Sequence, residues 1–190
     1  MPDHTPTDHV HAVRFYQDSD SLCRMVAGFI ADGCDAGEPA VIIATPSHGK
    51  DIARFLFERS IDVNELQESG TLLFLDARQT LDAFMLDGMP HGSSFDAALT
   101  IAIDKVYQGR KDATIRAFGE MVDLLWKDGR HVAAIRLEML WNRLANSKRF
   151  SLLCGYSMGN FYKDAALQDI CRHHTHVVGG DGEIVRGIRL

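Results

Sequence analysis

Pro39-Ala40-Val41-Ile42-Ile43-Ala44-Thr45-Pro46-Ser47 is the stretch that decides how this chain folds. Its apolar centre is short, continuous and β-branched, the pattern of a strand covered on both faces rather than of one with a solvent side. Pro46 then suits the first turn of a helix, where the N–H that proline lacks would have no intrahelical acceptor. That helix carries Ile52, Phe55 and Leu56 on one face. A buried strand running directly into an amphipathic helix is the building unit of a parallel sheet, so the centre of this sheet is expected here.

The same alternation recurs on both sides. Upstream, residues 11–16 hold Ala12, Val13, Phe15 and Tyr16 as a first strand; Ser19 reads as a cap, and Leu22, Met25, Val26, Phe29 and Ile30 recur at helical spacing up to Gly33. Downstream, residues 70–76 repeat the buried-strand pattern and end in Asp76, and a helix is predicted over 78–86. The turn Asp87-Gly88-Met89-Pro90-His91-Gly92 separates it from a helix over 94–107. A strand over 114–118 runs through Gly119-Glu120-Met121 into 122–126, and a helix over 132–145 and a strand over 150–154 follow. Because parallel strands need crossovers and these are right-handed, the order predicts a three-layer α/β domain with a mostly parallel sheet. With no repeat or linker visible, residues 9–178 read as one domain and 179–190 as a C-terminal tail.

Composition narrows the function. A chain of 190 residues, 46% hydrophobic and 24% charged, is expected to bury one sizeable core. Its formal charge of -6 provides no basic field for a phosphate backbone, so direct nucleic-acid binding is not expected. No stretch supplies the roughly 20 apolar residues of a membrane span, and the N-terminus lacks the pattern of a secretory signal; the expected location is the cytoplasm. Cys23, Cys34, Cys154 and Cys171 are scattered and form no C-x-x-C pair, which points to reduced thiols rather than disulfides or a cysteine zinc cluster.

Six ordered phrases go beyond periodicity: Ile43-Ala44-Thr45-Pro46 with His48; Leu75-Asp76-Ala77-Arg78; Ala117-Phe118-Gly119-Glu120-Met121-Val122 with Leu125-Trp126; Arg136-Leu137-Glu138 with Leu140-Trp141-Asn142; Phe150-Ser151-Leu152-Leu153-Cys154; and Ile170-Cys171 followed by His174 and His176. Together the chain resembles the MEDS family, a sensory domain named for methanogens, methylotrophs and a dichloromethane-responsive repressor. The resemblance implies a RecA-like or KaiC-like core used for sensing, often fused to histidine kinase, regulator or DNA-binding modules. In a chain of this length it implies action through a separate histidine kinase or regulator, or through homo-oligomers. It also implies a small-molecule signal, for which small organic or one-carbon compounds have been proposed. His91 and Gly155-Tyr156-Ser157 depart from the family pattern in predicted loops, where they bear on ligand identity.

The residues support several chemistries. Glu120 and Glu138 each sit in or beside an apolar run, where an ionised carboxylate needs a partner; the helix start after Glu120 would offer N–H donors. A ligand pocket is predicted from Tyr16, Gly119, Glu120, Met121, Glu138, Trp141, Asn142 and Tyr156, apolar with a few polar groups. The alternative is that the acids pair with Arg116 and Arg136 while the aromatic residues, Trp126 among them, fill the core. Gly49-Lys50, between strand and helix, suggests a degenerate nucleotide-binding loop or weak ATPase, but Ala44 stands in place of the first glycine and Asp51 in place of the hydroxyl residue. No G-x-S-x-G or H-E-x-x-H motif is present, so no catalytic residue and no cofactor is assigned. Cys171, His174 and His176 are the metal candidates, with His9 and His11 on one strand face; the alternative is surface or capping histidines. An oligomeric interaction protein without a ligand is the third functional reading.

Overall fold

The computed structural model describes residues 10–108, 113–147, 149–160, 164–178 and 184–186. Strand β1 (Val10–Tyr16) leads into α1 (Ser19–Asp35), β2 (Ala40–Ala44), α2 (Pro46–Glu58), α3 (Val63–Glu68), β3 (Leu72–Asp76) and α4 (Ala77–Asp82). A hairpin of β4 (Met85–Leu86) and β5 (Met89–Pro90) precedes α5 (Gly92–Tyr107), β6 (Ile115–Gly119), α6 (Met121–Lys127), α7 (His131–Ser147) and β7 (Phe150–Ser157). The described chain closes with α8 (Asp164–Cys171), β8 (His176–Val178) and β9 (Ile184–Arg186). Among the described residues no helix is long and apolar enough to cross a membrane.

The main sheet runs β3-β2-β6-β7-β1-β8-β9, with every neighbour parallel except β9, which is antiparallel to β8. Alternation along the strands feeds two cores. Ala12, Ile42, Ala44, Phe118 and Leu153 face α1 and α2, whereas Val13, Val41, Ile43, Ala117, Leu152 and Tyr156 face the layer of α4 to α8. Trp141 fills the second core, edge-on to Phe95 with ring centres 5.2 Å apart and stacked on Phe150 at 6.1 Å. This is the three-layer, RecA-like α/β fold.

The path fixes where a site can form. From β1 the chain crosses to β2 and β3 through α1 and α2; it then reverses through β6 and β7 with its helices on the opposite layer, as right-handed crossovers require. The neighbours β1 and β7 therefore send their helices to opposite faces, and so do β2 and β6. Each such pair opens a crevice at its carboxyl ends, the usual place for a ligand in an open α/β sheet.

Several local expectations change. The cap of α1 is Asp18, whose carboxylate accepts from Asp20 N at 3.3 Å and Ser21 N at 2.7 Å, and Ser19 is the first helical residue. The helix predicted over 78–86 stops at Asp82, because Asp87 (φ 48°) and Gly88 (φ 82°) make the positive-φ turn that joins β4 to β5. Strand β3 lies at the sheet edge with only Leu72 buried, so its apolar run marked partial cover. Strand β7 continues to Ser157, so Gly155-Tyr156-Ser157 is strand rather than loop. A Cβ at 155 would lie 3.3 Å from the Phe118 ring, which accounts for glycine there. Residues 184–186 of the expected tail join the sheet, and 179–183 lie outside the described residues.

Candidate functional site

Each crevice is bridged by one buried carboxylate. At β2/β6, the Glu120 N–H donates to Ile43 O at 3.2 Å, extending the ladder past the end of β6. Its side chain turns across to the start of α2, where the carboxylate accepts from Thr45 N–H and meets His48 Nδ1 at 2.5 Å. His48 Nε2 in turn lies 3.1 Å from Ser19 Oγ on α1. The Glu120 contact raises the His48 pKa above its ordinary value against the opposing effect of burial, so the ring keeps its second proton to higher pH. Glu120 thus uses the neighbouring helix, not the start of α6 as its sequence position suggested.

At β1/β7 the bridge is Asp123, on α6. The Tyr16 hydroxyl donates to its Oδ2 at 3.0 Å, Lys127 Nζ approaches the same oxygen at 2.6 Å, and Ser157 N–H donates to Oδ1 at 2.9 Å. Burial, with Asp123 beside it, pushes the Tyr16 phenol up, so the hydroxyl stays protonated. The Tyr16 and His48 rings meet edge to face at 6.0 Å and join the two bridges. His48, Ser19, Asp123 and Lys127 were not among the predicted site residues. The available signal was Asp123 three residues beyond Glu120 inside the apolar run Met121-Val122-Asp123-Leu124-Leu125.

The chain's own carboxylates occupy the helix starts along this edge. Asp18 caps α1, Glu120 sits at the start of α2, and Asp76 accepts from Gln79 N at 2.8 Å at the start of α4. Lys50 is exposed on α2. A cavity of about 380 Å³ opens beside Thr45, Lys50, Phe74 and Asp76. A larger groove of about 790 Å³ runs along the α1 side of β1 and β7, past Arg14, Arg116, Ser151 and Leu153. The smaller cavity lies at the carboxyl ends of β2 and β3 and shares Thr45 with the β2/β6 bridge.

A second polar centre lies inside the α7 layer. Glu138, on α7, is fully buried; its Oε1 accepts from Tyr156 Oη at 2.7 Å, and Oε2 lies 3.3 Å from His11 Nε2. His11 Nε2 is 3.4 Å from Cys154 Sγ, Cys154 Sγ is 3.9 Å from Glu138 Oε2, and His174 Nε2 is 3.5 Å from Glu138 Oε1. Asn142 gives its amide N–H to His173 O at 2.9 Å, leaving Oδ1 to receive His11 Nδ1–H at 2.9 Å. His174 Nδ1–H is taken by Ile170 O at 2.8 Å. Burial opposes ionisation of Glu138, but positive charge on the facing His174 and His11 imidazoles, together with the Tyr156 hydroxyl, favours the carboxylate and lowers its pKa. Burial holds His174 down at about 4 and pushes the Cys154 thiol well up.

The eight predicted pocket residues therefore divide. Tyr16, Gly119 and Glu120 mark the sheet edge, and Glu138, Asn142 and Tyr156 belong to the inner cluster. Met121 and Trp141 are core, with Trp141 3.8 Å from where a Cβ on Gly119 would lie. Trp126 is core as well, stacked on His131 at 4.2 Å. Neither acid uses the arginine suggested for it: Arg116 pairs with Glu38 at 2.6 Å, while Glu120 and Glu138 take histidines. Of the histidines and cysteine in the metal reading, His174 and His11 enter a ligand-like cluster; Cys171 ends α8 half-buried, His176 contacts Thr175 Oγ1 at 2.8 Å, and His9 lies outside the described residues.

A family model described as MEDS, the MEthanogen/methylotroph, DcmR Sensory domain, matches residues 10–175. Among solved structures the chain is similar to that of a KaiC-like protein from the hyperthermophilic archaeon Pyrococcus horikoshii, with 10% identity over 88% of this chain and 69% of that one and a TM-score of 0.60. At that identity the likeness is one of fold. No curated protein matches.

Proposed function

Since the chain belongs to the MEDS family of sensory domains, we propose that it binds a small-molecule signal at the carboxyl edge of its sheet and passes the change to a partner protein in the cytoplasm. The observation that carries this reading is the pair of bridges, Glu120–His48 and Asp123–Tyr16–Lys127, one at each strand reversal. Both tie together segments that no local hydrogen bonding requires to meet, so a ligand that separated or tightened them would move α1, α2 and α6 relative to one another. A signal shifts such an equilibrium only by its difference in affinity for the two states. The partner is a histidine kinase or regulator, or a second copy of the chain.

The KaiC-like fold is compatible with a nucleotide-binding alternative. The carboxylates at the starts of α1, α2 and α4 favour an uncharged or cationic signal, because they hold the positions where phosphate oxygens would gather N–H donors. The test is a thermal-shift screen of small organic and one-carbon compounds beside ATP and GTP with magnesium, on wild type, Glu120→Gln and Lys50→Ala. A compound that raises the melting temperature of wild type and not of Glu120→Gln is the expected result. Nucleotide binding lost in Lys50→Ala would transfer the assignment to the alternative, and no response to any compound would remove the edge pocket.

A further inference from the structure

We infer that His11, Glu138, Cys154 and His174 form a closed tetrahedral site for one zinc-class divalent metal ion. The site goes beyond the sensory reading and stands whichever signal binds at the sheet edge. One ligand atom from each residue lies within 4.8 Å of the others, and all four side chains are buried. Three contacts form one face, His11 Nε2–Glu138 Oε2 at 3.3 Å, His11 Nε2–Cys154 Sγ at 3.4 Å and Cys154 Sγ–Glu138 Oε2 at 3.9 Å, near the edge lengths of a tetrahedron around zinc, and His174 Nε2 stands over it, 3.5 Å from the other carboxylate oxygen. Bonds of about 2.0–2.1 Å to nitrogen or oxygen and about 2.3 Å to sulfur give edges of roughly 3.3–3.6 Å.

Hydrogen bonding alone leaves the cluster short of donors. With both Nδ1 hydrogens taken, His11 by Asn142 and His174 by Ile170, the neutral rings turn two Nε2 lone pairs toward the two oxygens of one carboxylate. The donors facing these four acceptors are the Tyr156 hydroxyl, which serves Glu138 Oε1, and the Cys154 thiol. His174 Nε2 is buried with no hydrogen-bond partner. A proton can fill one of these gaps, whereas a single cation answers all of them. Fixing the remote imidazole nitrogen on a carbonyl oxygen is also how metal-binding histidines are oriented.

Charge balance favours the same occupant. On binding, the Cys154 S–H bond breaks, its proton leaves to buffer and the sulfur electron pair forms the metal bond; Glu138 binds as the carboxylate, and the histidines bind neutral. Two negative ligands and a divalent ion give a site of zero net charge, which an apolar interior tolerates. Two imidazoles, a thiolate and a carboxylate suit zinc or cobalt, and not magnesium or calcium.

Because the site is enclosed, the full chain should be unfolded with chelator and refolded with Co²⁺. The expected result is one cobalt per chain, with thiolate-to-cobalt charge transfer in the near ultraviolet and intense tetrahedral bands in the visible, both displaced by Zn²⁺. Cys154→Ser should lose the charge-transfer band and Cys171→Ser should keep it; Asn142→Ala should weaken zinc binding about 10–100-fold. A folded wild type that takes up no metal, or a band that survives Cys154→Ser or vanishes in Cys171→Ser, overturns the assignment. If Cys154→Ser fails to fold, X-ray absorption of the zinc-loaded wild type decides: one sulfur at about 2.3 Å among three lighter neighbours supports the site, and no sulfur refutes it.

Discussion

At the residue scale, the His48–Glu120 contact makes stability depend on pH. A histidine whose folded pKa is raised contributes stability that is fully present below its unfolded value, about 6.5, and is lost as pH rises through the folded value. Urea unfolding of wild type minus Glu120→Gln should therefore show a difference that is largest near pH 6 and shrinks toward pH 9; the substitution should cost about 1–3 kcal/mol at the lower pH. A difference that grows with pH would show that the imidazole carries no extra proton. Tyr156→Phe removes the hydroxyl that serves buried Glu138 Oε1 at 2.7 Å, so it should cost about 1–3 kcal/mol in the same measurement. The acids were legible in the sequence as charges among apolar residues, but their partners were not. Cys171 is close to His174 in sequence, yet α8 ends there and the turn carries His174 inward, toward Glu138 and away from the nearby thiol. The thiol that faces Glu138 is Cys154, whose contact with His11 spans 143 residues of sequence, and no short-range spacing encodes that.

At the element scale, helices and buried strands were readable wherever periodicity was unbroken, and the misreadings fell where tertiary position decided. Strand β3 and the fully buried β2 have the same apolar look, and only the order of the sheet makes one an edge. The end of α4 went unread because a two-residue turn of Asp87 and Gly88 outranks the preference of the residues before it. The real cap of α1 lies one residue upstream of the serine that looked suitable, and Asp18→Ala should cost about 1 kcal/mol in chemical denaturation. Gly155→Ala tests the packing of β7 from the other direction. A methyl group 3.3 Å from the Phe118 ring and 3.5 Å from Leu22 overfills the core between strand and α1, with an expected loss of about 1–3 kcal/mol. Unchanged stability would mean that the ring moves aside freely.

At the scale of the whole molecule, β7 lies between β6 and β1 in the middle of the sheet, and both carboxylate bridges and the inner cluster are built around it and its neighbours. Native-state hydrogen exchange should find the amides of β1, β6 and β7 among the slowest, with β3 exchanging sooner; equal protection across the sheet would contradict the edge position of β3. The sheet order also sets a schedule for synthesis. Strand β1 is the earliest of the described strands to be made, yet it pairs with β7 and β8, so Val10 waits for Ser151 and Ala12 for His176. At roughly 5–20 residues per second on the ribosome, an apolar strand leaves the exit tunnel several seconds before either neighbour exists. During that interval it is a natural client for a chaperone, and a ribosome stalled before residue 150 would release a chain whose first strand has nowhere to go.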